Sequence, residues 1–332
     1  MKAIQFRQIL CPINFAEGSQ RTVEGASSLA TTYGAELRLF HVGRDRGHGR
    51  DAEGLIASLF ALTRTLPQRT RVSAAIAYGD PASEIIQHAR LTGSDLIVLG
   101  TERRSAPAVV RSTIVADVAS HVACPVLHVR PHFLPSLCDT ARGFTEIVCC
   151  ADSLSGSMER GDYAHALAHR GHARVTLLNV VAADDDASES TRESAEDTDG
   201  RRHRVHVSLT GSPGPEIVAL AERIRADLIV IGAHDEASPG QRLGLTASHV
   251  MVHAPCPVLL VPHSSNAFQC RRITSVVRRR DSHDDILAPD GNASVFCSVI
   301  RRVTFLRLAT LLLLRNSQCT WLTRPYWNNG MP

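Results

Sequence analysis

Five short segments of this chain occur twice in the same order, and that repetition restricts the fold more than any other feature. SDLIVLG (Ser94–Gly100) returns as ADLIVIG (Ala226–Gly232), and HVACPVLHV (His121–Val129) returns as HAPCPVLLV (His253–Val261). GDPASEII at Gly79 pairs with GSPGPEIV at Gly211, and these three pairs share an offset of 132 residues. ILCPIN at Ile9 pairs with IVCCAD at Ile147, and ELRLFHV at Glu36 with RVTLLNV at Arg174, both at an offset of 138. The second copy is therefore six residues shorter, somewhere between its second apolar segment and Gly211. Tandem duplication follows, and 332 residues suit two domains of ordinary size. The sequence divides into domain 1 (1–132), a linker (133–144), domain 2 (145–262) and a tail (263–332).

Each copy alternates short apolar runs with amphipathic stretches, the pattern of βαβ units and a parallel sheet. The first copy predicts strands at 8–13, 36–42, 72–77, 96–99 and 126–129, and helices near 19–33, 52–66, 82–92 and 113–121. Unbroken runs such as LIVL suit strands buried on both faces. The expected fold class is α/β: two doubly wound, Rossmann-like, parallel five-stranded sheets of order 3-2-1-4-5. The second copy departs from the plan at 184–204, DDDASESTRESAEDTDGRRHR, where acid is followed by base and apolar residues are scarce. That composition reads as a mobile loop, with a short solvated helix as the alternative. The tail carries ten Arg and four Asp and continues neither repeat. It reads as a disordered or non-native basic segment, or as an appended helix around Val299–Leu314.

A formal net charge of +3 and 21% charged residues give no case for a nucleic-acid or anionic-membrane partner. Lys2 is the single lysine among 36 basic residues. Nine cysteines without C-x-x-C spacing argue against a disulfide framework and a zinc ribbon. The start, MKAIQFRQILCPINF, lacks a charged leader followed by an apolar core, and Val303–Leu314 is short and interrupted by Arg307. The expectation is a reduced, cytoplasmic protein.

In the order 3-2-1-4-5 the winding reverses between strands one and four, and ligands bind at the carboxyl ends of those strands. The loops concerned begin at Asn14 and Gly100 in the first copy, and at Asp152 and Gly232 in the second. ILCPINFAEGS, the FHV strand end, G-D-P, DLIVLG and CPVLHV together resemble a universal stress protein (UspA-type) domain. The second copy answers with IVCCADSLSGS, LNV, G-S-P, DLIVIG and CPVLLV, so the resemblance covers about 6–131 and 145–262. It implies a tandem member with an adenine nucleotide alpha hydrolase-like fold. Its halves would pack as a pseudo-dimer, with a further homodimer through the last strands as an option.

In ATP-binding members of that family an Asp after strand one contacts the nucleoside. A G-x-x-G, nine residues, then G-[ST] hold phosphate and ribose, because glycine lets backbone N–H groups approach the phosphates. By that resemblance the first copy's candidates are Asn14, Val42, Gly100 and Thr113, with Arg103 and Ser112 where glycines belong. The second copy's candidates are Asp152, Val180, Gly232, Gly244 and Thr246, with Asp235 at the second glycine and Leu245 at the hydroxyl position. In both copies the intervening segment is eight residues. A carboxylate 4 Å from a phosphate charge repels it by about 1 kcal/mol in water and several times more in a partly buried cleft.

The resemblance thus implies a regulatory or scaffold module of stress adaptation with degenerate adenine-nucleotide crevices. The alternative is an ATP-binding, slowly hydrolysing switch that uses mainly the second copy. A third class is a Cys- or His-based redox or metal sensor. His165, His169 and His172 share a helical face, yet no carboxylate or cysteine stands at a supporting spacing, so a solvated or packed face is the simpler reading and no metal ligand is assigned. Cys124 and Cys256 are equivalent and read as small buried hydrophobes, while adjacent Cys149 and Cys150 point to opposite faces of a strand. No nucleophile–base–acid set is recognisable, so no catalytic residue is assigned.

Overall fold

The computed structural model describes residues 4–15, 18–43, 50–64, 66, 70–100, 114–129, 143–151, 157–171, 173–181, 192–196, 204–234 and 243–262. The chain divides into two units, Met1–Arg279 and Arg280–Pro332, and every described residue belongs to the first. The tail, most of the linker, Thr113, Asp152 and Asp235 lie outside the described residues.

The first repeat runs β1 (Gln8–Pro12), α1 (Ser19–Tyr33), β2 (Glu36–Gly43), α2 (Arg50–Ala61), β3 (Arg71–Tyr78), α3 (Pro81–Thr92), β4 (Leu96–Gly100), α4 (Ile114–His121) and β5 (Val126–Val129). The second runs β6 (Glu146–Cys150), α5 (Ser157–Gly171), β7 (Arg174–Val181), β8 (Arg192–Glu196), β9 (Arg204–Thr210), α6 (Pro213–Arg223), β10 (Leu228–Gly232), α7 (Leu245–His253) and β11 (Val258–Val261). Among the described residues no helix is long and apolar enough to cross a membrane.

Each repeat has the expected order, but the two form one eleven-stranded sheet, β3-β2-β1-β4-β5-β11-β10-β6-β7-β9-β8, rather than two separate sheets. The junction is antiparallel, pairing Val126 with Leu260, Leu127 with Leu259 and His128 with Val258. The reason lies in edge chemistry. VLHV and VLLV are apolar last strands whose free backbone groups would otherwise template pairing with another chain. Joined, all eight residues are buried. The last strands are therefore interior, and a homodimer through them would require this junction to open.

The acidic–basic segment also departs from its sequence reading. Within 184–204, Arg192–Glu196 forms β8, which pairs antiparallel with β9 from Arg192–Ser208 to Glu196–Arg204. A strand at the rim needs no apolar face, and charged residues there discourage further pairing.

Strand alternation places two apolar layers on the sheet. Ile9, Val23, Leu37 and Cys149 lie in one; Leu10, Phe40, Ile85 and Cys150 lie in the other. Local signals fix the ends. Asp80 accepts the Ser83 N–H at 2.9 Å, Pro81 opens α3, and Gly93 closes it at φ 62°. The Asp of each D-L-I-V run has a structural task. Asp95 Oδ2 accepts the N–H groups of Arg7 and Gln8 at 2.8 and 2.9 Å, and Asp227 accepts those of Thr145 and Glu146 at 2.6 and 3.2 Å. Each ties the start of its fourth strand to the start of its first.

His88 of α3 is 3% exposed and stacks on Phe40 with ring centroids 4.1 Å apart. Burial, aided by the Arg38 charge, pushes its pKa down from 6.5 to about 4. The unfolded chain thus takes up this proton before the folded one. The resulting stability is complete above pH 6.5 and is lost as pH falls toward 4, a change of about 3 kcal/mol. His88→Leu, which installs the residue of the equivalent position Leu220, is expected to flatten denaturant-midpoint curves over that window. An unaltered pH profile in the variant would contradict this assignment.

Candidate functional site

The second repeat carries a cleft of ≈190 Å³ at the carboxyl ends of its strands. Its floor comes from Cys150 and Ala151 at the end of β6, Leu178 and Val180 of β7, and Ile231 and Gly232 of β10. Pro213 and Ile217 of α6, with Thr246 and Ala247 of α7, form the walls, and His234 stands at the loop after β10. β6 and β10 are the strands between which the winding reverses, so the cleft occupies the position that topology reserves for ligands. Sites for drug-sized ligands run to roughly 300–1,000 Å³, so the cleft fits one part of such a ligand, a base or a ribose.

Of the second copy's sequence-derived candidates, Val180, Gly232 and Thr246 meet in this cleft. Gly244 is the N-cap of α7. Its N–H donates to the Ala233 carbonyl at 2.9 Å, and its own carbonyl accepts the Ser248 N–H at 2.8 Å. The glycine therefore closes the loop onto the end of β10. Thr246 lies in the first turn of α7, where backbone N–H groups point toward the helix N-terminus and favour an anion.

In the first copy, Asn14 Oδ1 accepts a hydrogen bond from Ser19 Oγ at 3.1 Å. Val42 packs on the apolar layer beneath α3, and Gly100 ends β4. The offsets of 138 and 132 set Phe40 against Leu178, Ile114 against Thr246 and Val115 against Ala247. Each first-copy residue is the bulkier or less polar of its pair. Phe40, fully buried and stacked on His88, occupies a position that lines open space in the second copy.

The two equivalent glycines also face different neighbours. A Cβ at Gly100 would collide with Thr22 Oγ1 of α1. A Cβ at Gly232 would stand 2.6 Å from Nη1 of Arg160, which is 6% exposed and lies in the first turn of α5. Sequence reading missed Arg160, although the offset of 138 aligns it with Thr22 and so exposes a charge at a column that is neutral in the first copy. It also missed Leu178, Ala247 and His234, whose roles depend on which face of the sheet they meet.

Two doubly wound α/β repeats, each with a reversal point, and an open cleft among the described residues at the second of these points define a tandem nucleotide-binding-type fold. The profile of the universal stress protein family matches residues 5–130 and 143–262. The chain belongs to that family, as a tandem two-domain member. A universal stress protein from Archaeoglobus fulgidus DSM 4304 is 17% identical, with 78% of this chain and 97% of that chain covered and a TM-score of 0.53. A functionally unknown protein from Pseudomonas aeruginosa PAO1 is 16% identical, with 81% and 97% covered and a TM-score of 0.53. A universal stress protein solved in complex with cAMP is 16% identical, with 39% and 99% covered and a TM-score of 0.35. No curated protein matches the chain.

Proposed function

We propose that this protein is an adenine-nucleotide-responsive regulatory module of stress adaptation in which the second repeat carries the ligand and the first is its structural counterpart. One contrast supports this reading above the others. Leu178, Thr246 and Ala247 surround an open cleft where the first repeat has Phe40, Ile114 and Val115. The cleft is mainly apolar, with the Thr246 hydroxyl and His234 imidazole as polar side-chain groups, a lining that suits recognition of a base or ribose. Asp152, Val180, Gly232, Gly244 and Thr246 are the residues assigned to the ligand, with ATP as the candidate.

The domains in this account are 1–132 and 145–262, joined through 133–144. Their β5–β11 pairing takes the place of a homodimer contact. A reducing cytoplasm suits the buried thiols of Cys11, Cys124, Cys149, Cys150 and Cys256. Burial pushes the Cys11 thiol up to about 12, so it is a packing group rather than a redox sensor.

The scaffold reading, in which both crevices are degenerate, draws on Asp235 in one loop and on Asn14 and Arg103 in the other crevice. Equilibrium dialysis of the full chain with ATP and Mg²⁺ separates the two. Saturable binding that Asp152→Ala removes is the expected result. A wild-type chain that binds no nucleotide at millimolar concentration leaves the scaffold reading and overturns this one.

A further inference from the structure

We propose that His249 and His253 form a two-ligand site on α7 for a divalent transition-metal ion such as Zn²⁺, separate from the cleft and independent of the nucleotide reading above. The first observation is position. The two residues stand at i and i+4 on one helix, so their side chains share a face one turn apart. Their ring centres are 4.5 Å apart, with 36° between the planes. A metal held at about 2.0–2.1 Å by one nitrogen of each ring sets the ring centres roughly 4.5–5.3 Å apart, for angles between a right angle and the tetrahedral one. The rings therefore already stand at the separation that chelation needs. Rotation about their terminal torsions aims a nitrogen of each at one ion.

The second observation is how His249 is seated. Gly214, in the first turn of α6, lies against it. A Cβ at Gly214 would stand 2.8 Å from His249 Cγ and Cδ2 and 2.9 Å from its Cβ. These nearest atoms are all carbons, so the seat holds the ring by its carbon edge. His249 is half-buried and His253 is exposed, which leaves the pair accessible to an ion from solvent. A ring held in this way has less freedom to lose when a metal binds.

The third observation is charge. Burial, and then the His253 charge, lowers the His249 pKa, so the two rings resist being protonated together. Neutral imidazole is the metal-binding form, and it suits Zn²⁺, Cu²⁺ and Ni²⁺. The pair also lies toward the carboxyl end of α7, where the helix dipole favours a cation. Among the described residues no group of three or more His, Cys, Asp or Glu is placed to hold a metal. The site is therefore an open one, with water at the remaining positions. The first repeat is built differently. By the offset of 132 it has Ala82 for Gly214, Asp117 for His249 and His121 for His253. His121 Nδ1 there lies 2.7 Å from the Asp117 carbonyl oxygen of its own helix.

The test is histidine footprinting of the full chain with diethyl pyrocarbonate, mapped by peptide mass spectrometry, across a Zn²⁺ titration without nucleotide. In the wild type His249 and His253 are expected to become protected together, at one midpoint, and to be released by EDTA. His253→Ala removes an exposed ring and keeps the fold. It should raise the Zn²⁺ concentration that protects His249 by at least about tenfold, because the second ligand no longer acts at high effective concentration. His249→Ala should release His253 in the same way. Gly214→Ala, which crowds the His249 ring, should weaken the protection of both rings. Protection of His249 that is unchanged in His253→Ala overturns the proposal. So does a wild type in which neither ring is protected at millimolar Zn²⁺, or in which His121 is protected at the same midpoint.

Discussion

A variant carrying Leu178→Phe, Thr246→Ile and Ala247→Val is expected to fold normally and to lose most of its affinity for adenine nucleotide. The three changes install in the second repeat the residues that the first repeat has at the same positions. All three positions line the cleft, and each change adds carbon or removes the hydroxyl. A ligand entering the smaller space must displace well-packed side chains. Overpacking of that kind opposes binding by about 1–3 kcal/mol, or roughly five- to a hundredfold in affinity. The fold tolerates these residues because its own first repeat is built with them: Phe40 is fully buried and Val115 is 2% exposed. Titration calorimetry with a parallel melting curve gives both readings. An unchanged dissociation constant in a folded variant would show that the ligand uses another surface.

Gly100→Ala is expected to destabilise the protein by about 2 kcal/mol, the middle of the overpacking range. The added Cβ collides with Thr22 Oγ1 and also approaches Thr22 Cβ and Cγ2 to 3.2 Å. Thr22 is β-branched and fixed in α1, so relief requires the helix to move. For a body of this size the melting temperature should fall by several degrees. Gly232→Ala makes the informative comparison. Its Cβ meets only the far end of a flexible side chain, with Arg160 Cζ 3.7 Å away, so stability should change much less. Equal losses in the two variants, measured by denaturant unfolding, would contradict the different roles given to Thr22 and Arg160.

The repeat made most of the fold legible. Apolar runs such as LIVLG and LIVIG appear as the central strands β4 and β10, and equal offsets carried the order of one repeat to the other. Two elements were not legible, each for a physical reason. β8 is a rim strand paired with β9 through the backbone, and its sequence, RESAE, carries no apolar run that would mark it as a strand. The β5–β11 junction joins segments 132 residues apart, and two apolar strand edges do not announce which surface will cover them. The helix over 52–66 was legible in kind, but it runs from Arg50 to Ala61, because turns follow at 62–64.

The candidate site was legible as an address more than as a set of contacts. Topology located Gly232, and the family resemblance located Val180, both of which line the cleft. The fourth-strand Asp is a different lesson. Asp95 and Asp227 recur in both copies just before the fourth strand, at the end opposite the ligand-type loop, and they bind the backbone that opens β1 and β6. Repetition alone does not separate a structural carboxylate from a functional one. Arg160 escaped for the opposite reason, since it breaks the repetition and stands beside Gly232, far along the chain.

The central claim is that one crevice of the two accepts nucleotide. The most direct measurement is the binding stoichiometry of ATP or AMP per full chain under saturating conditions, by native mass spectrometry or calorimetry. The account predicts one nucleotide per chain, lost with the three cleft substitutions and retained in His88→Leu. Two nucleotides per chain, or one that survives closure of the second cleft, would contradict it.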